Sequence, residues 1–264
     1  MNKIVVITGA NTGIGKCTAD MLRSKGDIVL CLSLAIDEEY PEFSYICDVA
    51  DESRVKDVIS EIGQKYGHID ILINCAGYGL NGVLELLTPE RIKKQFEVNV
   101  FGLVSCTNHA LSFMGKGSRI INISSAMALF PVPYRSMYGA SKSAVLSLSF
   151  AQRMELKACK SGIDVCAVCP GDVNTNFTKN KEIVVETNER YGDRIKNAFA
   201  KFDDPKRKEK QIKPEKVAKK LVKLCYAKKT RPMVIIGGKM KLLHFVTRFT
   251  SKNTLLNATM KVCG

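Results

Sequence analysis

Short apolar runs rich in β-branched residues alternate with helical patterns along most of the chain, and that alternation limits the possible folds more than any other feature. Residues 3–7, 28–32, 44–47, 69–73, 119–123, 163–168 and 233–236 read as strands. Between them, residues 14–24, 52–65, 89–114, 136–160 and 214–226 carry the longer period of helices. A strand followed by a helix and another strand returns the chain to the same end of the sheet, so neighbouring strands run parallel. The expected fold class is therefore α/β, a doubly wound parallel sheet of the Rossmann type with helices on both faces. The 264 residues are expected to form a single domain (1–264) around one core. Sheets of this kind bind ligands beyond the carboxyl ends of their strands, where the strand order reverses.

Two local patterns bear on chemistry. Thr8-Gly9-Ala10-Asn11-Thr12-Gly13-Ile14-Gly15 leaves the first strand and opens the first helix. Glycines stand where the backbone must turn sharply, and the helix start offers free N–H groups to an anion such as a pyrophosphate. A plain tight turn is the ordinary alternative, and the spacing departs from the commoner Gly-x-Gly-x-x-Gly fingerprint. Further on, Tyr138 and Lys142 share a helix face four residues apart, thirteen residues after Ser125. With eight Tyr in the chain, one Tyr-x-x-x-Lys is expected by chance. A free phenol has a pKa near 10. An adjacent ammonium is expected to lower it toward the range of useful proton transfer.

Taken in order, Thr8-Gly-x-x-x-Gly-Ile-Gly15, Asp48-Val49, Asn74-Cys75-Ala76-Gly77, Asn99, Ser125, Tyr138-x-x-x-Lys142 and Pro170-Gly171-x-Val173-x-Thr175 resemble the short-chain dehydrogenase/reductase family over roughly residues 3–236. The resemblance implies a Rossmann domain of about seven strands and an NAD- or NADP-dependent oxidoreductase. It implies catalysis by Asn99, Ser125, Tyr138 and Lys142. The cofactor would be held by Gly9, Asn11, Thr12, Gly13, Ile14 and Gly15, by Ser33 at the end of the second strand, and by Asp48 and Val49 at the adenine. Asn74, Ala76 and Gly77 would lie along it, with Tyr138 and Lys142 reaching it too. Pro170, Gly171 and Val173 would border the nicotinamide, and Thr175 would hold its carboxamide. Relatives more often carry Asn where Cys75 stands. Sugar epimerase relatives are longer chains with a different glycine turn.

Cofactor choice leans to NAD: Asp37, Glu38 and Glu39 would repel a 2′-phosphate, although Lys16 would attract one. The uncharged run 127–133 before Tyr138 suits a hydrophobic secondary alcohol or ketone, with Leu80, Leu84, Met137, Phe177 and Val184 as further apolar wall. Weak similarity of the tail to steroid- and retinol-type members adds a hydroxysteroid to the expected substrates. Residues 176–211 show no strand pattern and read as a substrate lid or as an exposed excursion. Residues 239–264 form a basic amphipathic extension.

The net charge of +14 lies entirely in residues 201–264, which hold 18 basic and 4 acidic side chains. A solvated face is the ordinary reading of that surplus, and a membrane surface is the alternative. Nucleic acid is not an expected partner, whereas a homo-oligomer, paired through the helices at 89–114 and 136–160, is. Ten scattered cysteines and three His assemble no zinc set, and Cys166-x-x-Cys169 lies in a strand whose alternate residues face opposite ways. No apolar stretch approaches the roughly 20 residues a bilayer needs, so a cytoplasmic protein is expected. A nucleotide-binding sensor or scaffold without turnover, associated with a membrane surface, is the alternative from outside enzymology.

Overall fold

The computed structural model describes residues 2–175, 182–203 and 209–263. Seven parallel strands form the central sheet in the order β3-β2-β1-β4-β6-β7-β9. They are β1 (Ile4–Thr8), β2 (Ile28–Ser33), β3 (Ser44–Ile46), β4 (Ile71–Asn74), β6 (Arg119–Ile123), β7 (Asp164–Pro170) and β9 (Met233–Ile236). A separate parallel pair joins β5 (Leu80–Asn81) to β8 (Glu182–Ile183). The helices are α1 (Gly13–Arg23), α2 (Glu52–Tyr66), α3 (Pro89–Phe96), α4 (Gly102–Leu111), α5 (Ser136–Ala158), α6 (Arg194–Asp203), α7 (Pro214–Cys225), α8 (Gly238–Val246) and α9 (Lys252–Cys263).

Period-two alternation divides the core. Val5 and Ile7 of β1 pack with Val29, Ile71, Ile121 and Cys166 beneath Ala19 and Leu22 of α1 and Val217 and Leu221 of α7. Ile4 and Val6 point the other way, toward Val58 and Ile62 of α2 and Cys106 and Ala110 of α4. Cys166 and Cys169 fall in different clusters accordingly, and the nine cysteines from Cys17 to Cys225 are all free thiols. The chain winds outward from β1 through β2 to β3, then returns to lay β4 against the other side of β1. The carboxyl ends of β1 and β4, at Thr8 and Asn74, therefore flank the crevice at the reversal point.

Two elements differ from expectation. The helix expected over 89–114 is broken by a π-helical turn, Glu97–Phe101, between α3 and α4. Residues 182–183 of the expected lid form a strand, β8, registered on β5. Two residues are too few to show a sequence period, so tertiary pairing decides that strand. Val184 is buried against Leu80, Leu87 and Met137, while Ile195, Ala198 and Phe199 pack with Val83, Val132 and Tyr134. Ile195 and Phe199 thus pack on the loop leading to α5. Phe177, expected on the same wall, lies outside the described residues, and Leu84 is exposed.

Candidate active site

The glycine turn at the end of β1 is shaped by close backbone approach. Gly9 has φ +66°, and a Cβ there would stand 2.8 Å from Ala76 Cα in the turn after β4. Gly13 has φ +55°, and its Cβ would meet Thr175 at 3.3 Å. Ser33, at the tip of β2, holds the turn from below: its hydroxyl accepts from the Ala10 N–H at 2.9 Å and the Asn11 N–H at 3.3 Å. Thr12 occupies the N-cap of α1 without a side-chain cap bond. The helix start keeps donors and a positive dipole end directed at the crevice.

The turn after β4 hangs on Thr8, whose hydroxyl accepts from the N–H groups of Cys75 and Ala76, both at 3.0 Å. Asn74 is buried, and its amide donates to Thr107 Oγ1 at 3.0 Å and Asn122 Oδ1 at 2.9 Å. A Cβ at Gly77 would stand 2.9 Å from Asn99 Oδ1 and 3.3 Å from Lys142 Nζ. Gly77 thus lets that turn pass the two side chains closely. Asn99 sits in the π-helical turn, where Oδ1 accepts from the Tyr78 N–H and Nδ2 donates to Tyr78 O, each at 3.0 Å, and to Ser141 Oγ at 3.1 Å. The widened turn presents Asn99 inward, a common use of π-bulges.

Tyr138 and Lys142 project from the first turns of α5 toward that loop. Ser125 follows β6, caps a short 3₁₀ turn by accepting from the Met127 N–H at 3.1 Å, and shares a hydrogen bond with Tyr138. Lys142 is buried, with Nζ 6.0 Å from the centroid of the Tyr138 ring and donating to Ile123 O at 2.9 Å. Desolvation pushes the Lys142 ammonium down to about 8, with neighbouring Cys75 and Cys169 opposing the shift. Desolvation pushes the Tyr138 phenol up to about 12, against the hydrogen bond from Ser125 and the nearby Arg135. The lowering expected from the ammonium is therefore not found: burial raises the phenol instead.

At the end of β7, Gly171 donates to Ile236 O at 2.9 Å, and Val173 bridges to Ile212. Pro170 is buried, and Thr175 reaches the glycine turn at Gly13. Asp48 is exposed and accepts from the Ala50 N–H at 3.0 Å, while Val49 is buried against Gly102. These contacts bring the glycine turn, Ser33, Ala76 and Thr175 together on one side and Gly77, Asn99, Tyr138 and Lys142 on the other, while Asp48 and Val49 stand apart after β3. Sequence reading missed Thr8 as the anchor of the second turn and Ser124, whose hydroxyl donates to Lys142 O at 2.7 Å. It also missed Gln95, buried where it accepts from the Leu80 N–H and donates to Tyr78 O. The proximity of Ser124 to Ser125 and of Thr8 to Gly9 was the available signal; Gln95 carried none.

A dinucleotide fits this cradle at the start of α1, where no side chain caps the free N–H groups and Gly9 and Gly13 carry the turn past the Ala76 backbone and Thr175. The profile of the short chain dehydrogenase family matches residues 3–184. The chain is 40% identical over 196 residues to a 3-ketodihydrosphingosine reductase of Bacteroides thetaiotaomicron, covering 72% of each chain. It is 30% identical over 198 residues to the NAD(+)-dependent 15-hydroxyprostaglandin dehydrogenase of Homo sapiens, covering 68% of this chain and 71% of that one. The solved structure of ElxO with NADP bound superposes with a TM-score of 0.74 at 27% identity, over 92% of this chain and 100% of the other. The chain belongs to the short-chain dehydrogenase family and is an NAD(P)-dependent oxidoreductase.

Proposed function

We propose that this oxidoreductase interconverts a hydrophobic secondary alcohol and its ketone, with Tyr138 exchanging the hydroxyl proton. The carrying observation is the convergence of Tyr138, Ser125 and Lys142 beside the Gly77 turn. Ser125 and Tyr138 direct their hydroxyls at the substrate oxygen, and with its phenol raised to about 12 Tyr138 is a protonated donor at neutral pH. Lys142 provides positive charge to the phenolate that forms when Tyr138 gives up its proton. Asn99 fixes the Tyr78 backbone beside it. NAD or NADP, when bound, supplies or accepts the hydride. Gly9, Asn11, Thr12, Gly13, Ile14, Gly15 and Ser33 would hold one end of it, with Asp48 and Val49 at the adenine. The backbones of Asn74, Ala76 and Gly77 would run along it, and Pro170, Gly171, Val173 and Thr175 would meet the nicotinamide.

NAD is the preferred form in this reading. Lys16 lies 3.6 Å from Asp20, 3.6 Å from Asp37 and 3.5 Å from Glu39, and Arg23 pairs with Asp37 at 2.9 Å. The cations flanking β2 are thus answered by three carboxylates, which disfavours a 2′-phosphate. The apolar loop 127–133, with Val132 packed on Val83, Ile195 and Phe199, supports a hydrophobic substrate. Both relatives named above bear the names of lipid substrates, so chain-like lipid ketones rank ahead of hydroxysteroids. Exposed Phe101, Leu148 and Met154 suit pairing of two copies through the α4 and α5 region, which gel filtration measures.

Following NADH and NADPH absorbance over a panel of long-chain β-keto lipids, hydroxy fatty acids and steroids tests this reading. Turnover with at least one such lipid, faster with NADH, is expected. Tyr138→Phe should lower that turnover by at least ~10²-fold while leaving cofactor affinity intact, and near-normal activity in that variant would refute the acid/base role.

A further inference from the structure

Helix α8 has two apolar sides. Met240, Leu243, His244 and Thr247, spaced i, i+3, i+4 and i+7, are half-buried. Met240 lies over Gly171, 3.0 Å from where a Cβ would stand, and the His244 ring meets Phe130 edge-on at 6.5 Å. Leu242, Phe245, Val246 and Phe249 repeat the same spacing on the opposite side, with exposures of 64%, 56%, 41% and 77%. The rings of Phe245 and Phe249 touch each other, 5.3 Å apart. A globular helix ordinarily shows one apolar stripe, turned to the core. The second stripe here faces solvent, and α9 extends it with exposed Leu256 and Met260.

The charge around this stripe has one sign. Beyond Gly238 the chain holds Lys239, Lys241, Arg248, Lys252 and Lys261 and no Asp or Glu. Among the described residues, none of Lys239, Lys241, Arg248 and Lys252 joins an ion pair. Lys239 also lines a cleft of about 740 Å³ where it, Lys210, Lys213, Lys216 and Lys219 outnumber Asp172 and Glu215, so a net positive surface continues onto α7.

We propose that the α8–α9 face docks on an anionic lipid bilayer, beyond the alcohol–ketone chemistry of the crevice. Leu242, Phe245, Val246 and Phe249 enter the boundary between headgroups and acyl chains, while the lysines and Arg248 meet lipid phosphates. A second copy docked by the same face would bring two positive surfaces together. Nucleic acid would match the charge and leave the aromatic stripe in water. Among the described residues no helix is long and apolar enough to cross a membrane, so the attachment is peripheral. An apolar groove of about 540 Å³ between the 127–133 loop and α9 shares Leu256 and Met260 with this face. A lipid lifted from the bilayer would thus meet apolar protein beside the loop that borders Tyr138.

Flotation of the full chain with vesicles of phosphatidylcholine, alone or mixed with equal parts of phosphatidylglycerol, tests this directly. Binding to the anionic vesicles at low salt, lost at high salt, is expected. The double variants Phe245→Ser/Phe249→Ser and Lys239→Glu/Lys241→Glu should each bind at least about tenfold less. Circular dichroism and NADH binding should match the parent in both. No binding of the parent to anionic vesicles at low salt, or equal binding to neutral ones, overturns the proposal. So does a Phe245→Ser/Phe249→Ser chain that floats like the parent, or a parent that binds no vesicle and dissociates to a smaller species when the two Phe are replaced. NADH binding and lipid turnover are read separately, so neither of those failures mimics failure of the proposed chemistry.

Discussion

Gly77 and Lys142 make the active site sensitive to single atoms. A methyl group at position 77 would press on Asn99 Oδ1 at 2.9 Å and on Lys142 Nζ at 3.3 Å, both buried with no room to retreat. Gly77→Ala should therefore lower kcat by roughly 10- to 10²-fold through misplacement of these groups, measured alongside a thermal melt that moves only a few degrees. Lys142 carries a pH signature. Its ammonium sits at about 8 in the fold against an ordinary 10.5, because burial disfavours the charge. Below about pH 8 it is charged in both states and the cost of burying it is present in full. Between about pH 8 and 10.5 only the unfolded chain keeps the proton, so this group's contribution raises stability as pH rises. Lys142→Met removes the titration. Denaturant unfolding at pH 7 and pH 10 should show the parent gaining roughly 2 kcal/mol relative to the variant, and an unchanged difference would mean that the side chain does not titrate in that window. Spacing put Tyr138 and Lys142 on one helix face, and only their order among the other motifs singled them out. Their charge states were not, because desolvation comes from strands and helices distant in sequence.

Elements, rather than side chains, explain where sequence reading stopped. Each strand of the large sheet was visible within a residue or two, since the central ones are apolar runs buried on both faces and the edge strands β3 and β9 are short apolar runs set off by turns. The break in the helix between α3 and α4 was not, because Glu97–Phe101 holds no Pro or Gly to mark it and widens where Asn99 is drawn to Tyr78 and Ser141. The pair of β5 and β8 was equally hidden: Leu80 and Glu182 meet across a hundred residues. The tip of β2 offers a prediction at this scale. Ser33 was expected beside the cofactor, and its hydroxyl accepts two N–H groups of the glycine turn. Ser33→Ala leaves those donors without their acceptor, which should cost about 1–3 kcal/mol of stability. If the turn loosens with it, NADH affinity by fluorescence titration should fall severalfold; an unchanged affinity would show that the glycines hold the turn without β2.

At the scale of the molecule, the crevice joins two windings of one sheet. The first carries β1, β2 and β3 with the glycine turn, and the second carries β4, β6, β7 and β9 with Tyr138, Lys142 and Thr175. Thr175 already stands against Gly13 across that divide. Core packing is continuous beneath it, since Val5, Ile71, Ile121 and Cys166 belong to one cluster. A cofactor touching both windings should stabilise the whole chain as one unit rather than one winding alone. At a free concentration about 100 times its Kd, NADH should add ~2.7 kcal/mol, moving a single calorimetric transition upward by about 5–10 °C for a chain of this size. NADPH at the same concentration should move it less, because Asp20, Asp37 and Glu39 surround Lys16 where a 2′-phosphate would lie. If the hydroxyl of Tyr138 serves proton transfer, as proposed above, Tyr138→Phe should respond to NADH nearly as the parent does. Two separate transitions, of which NADH moves only one, would show instead that the windings unfold independently and that the cofactor is held by the first alone.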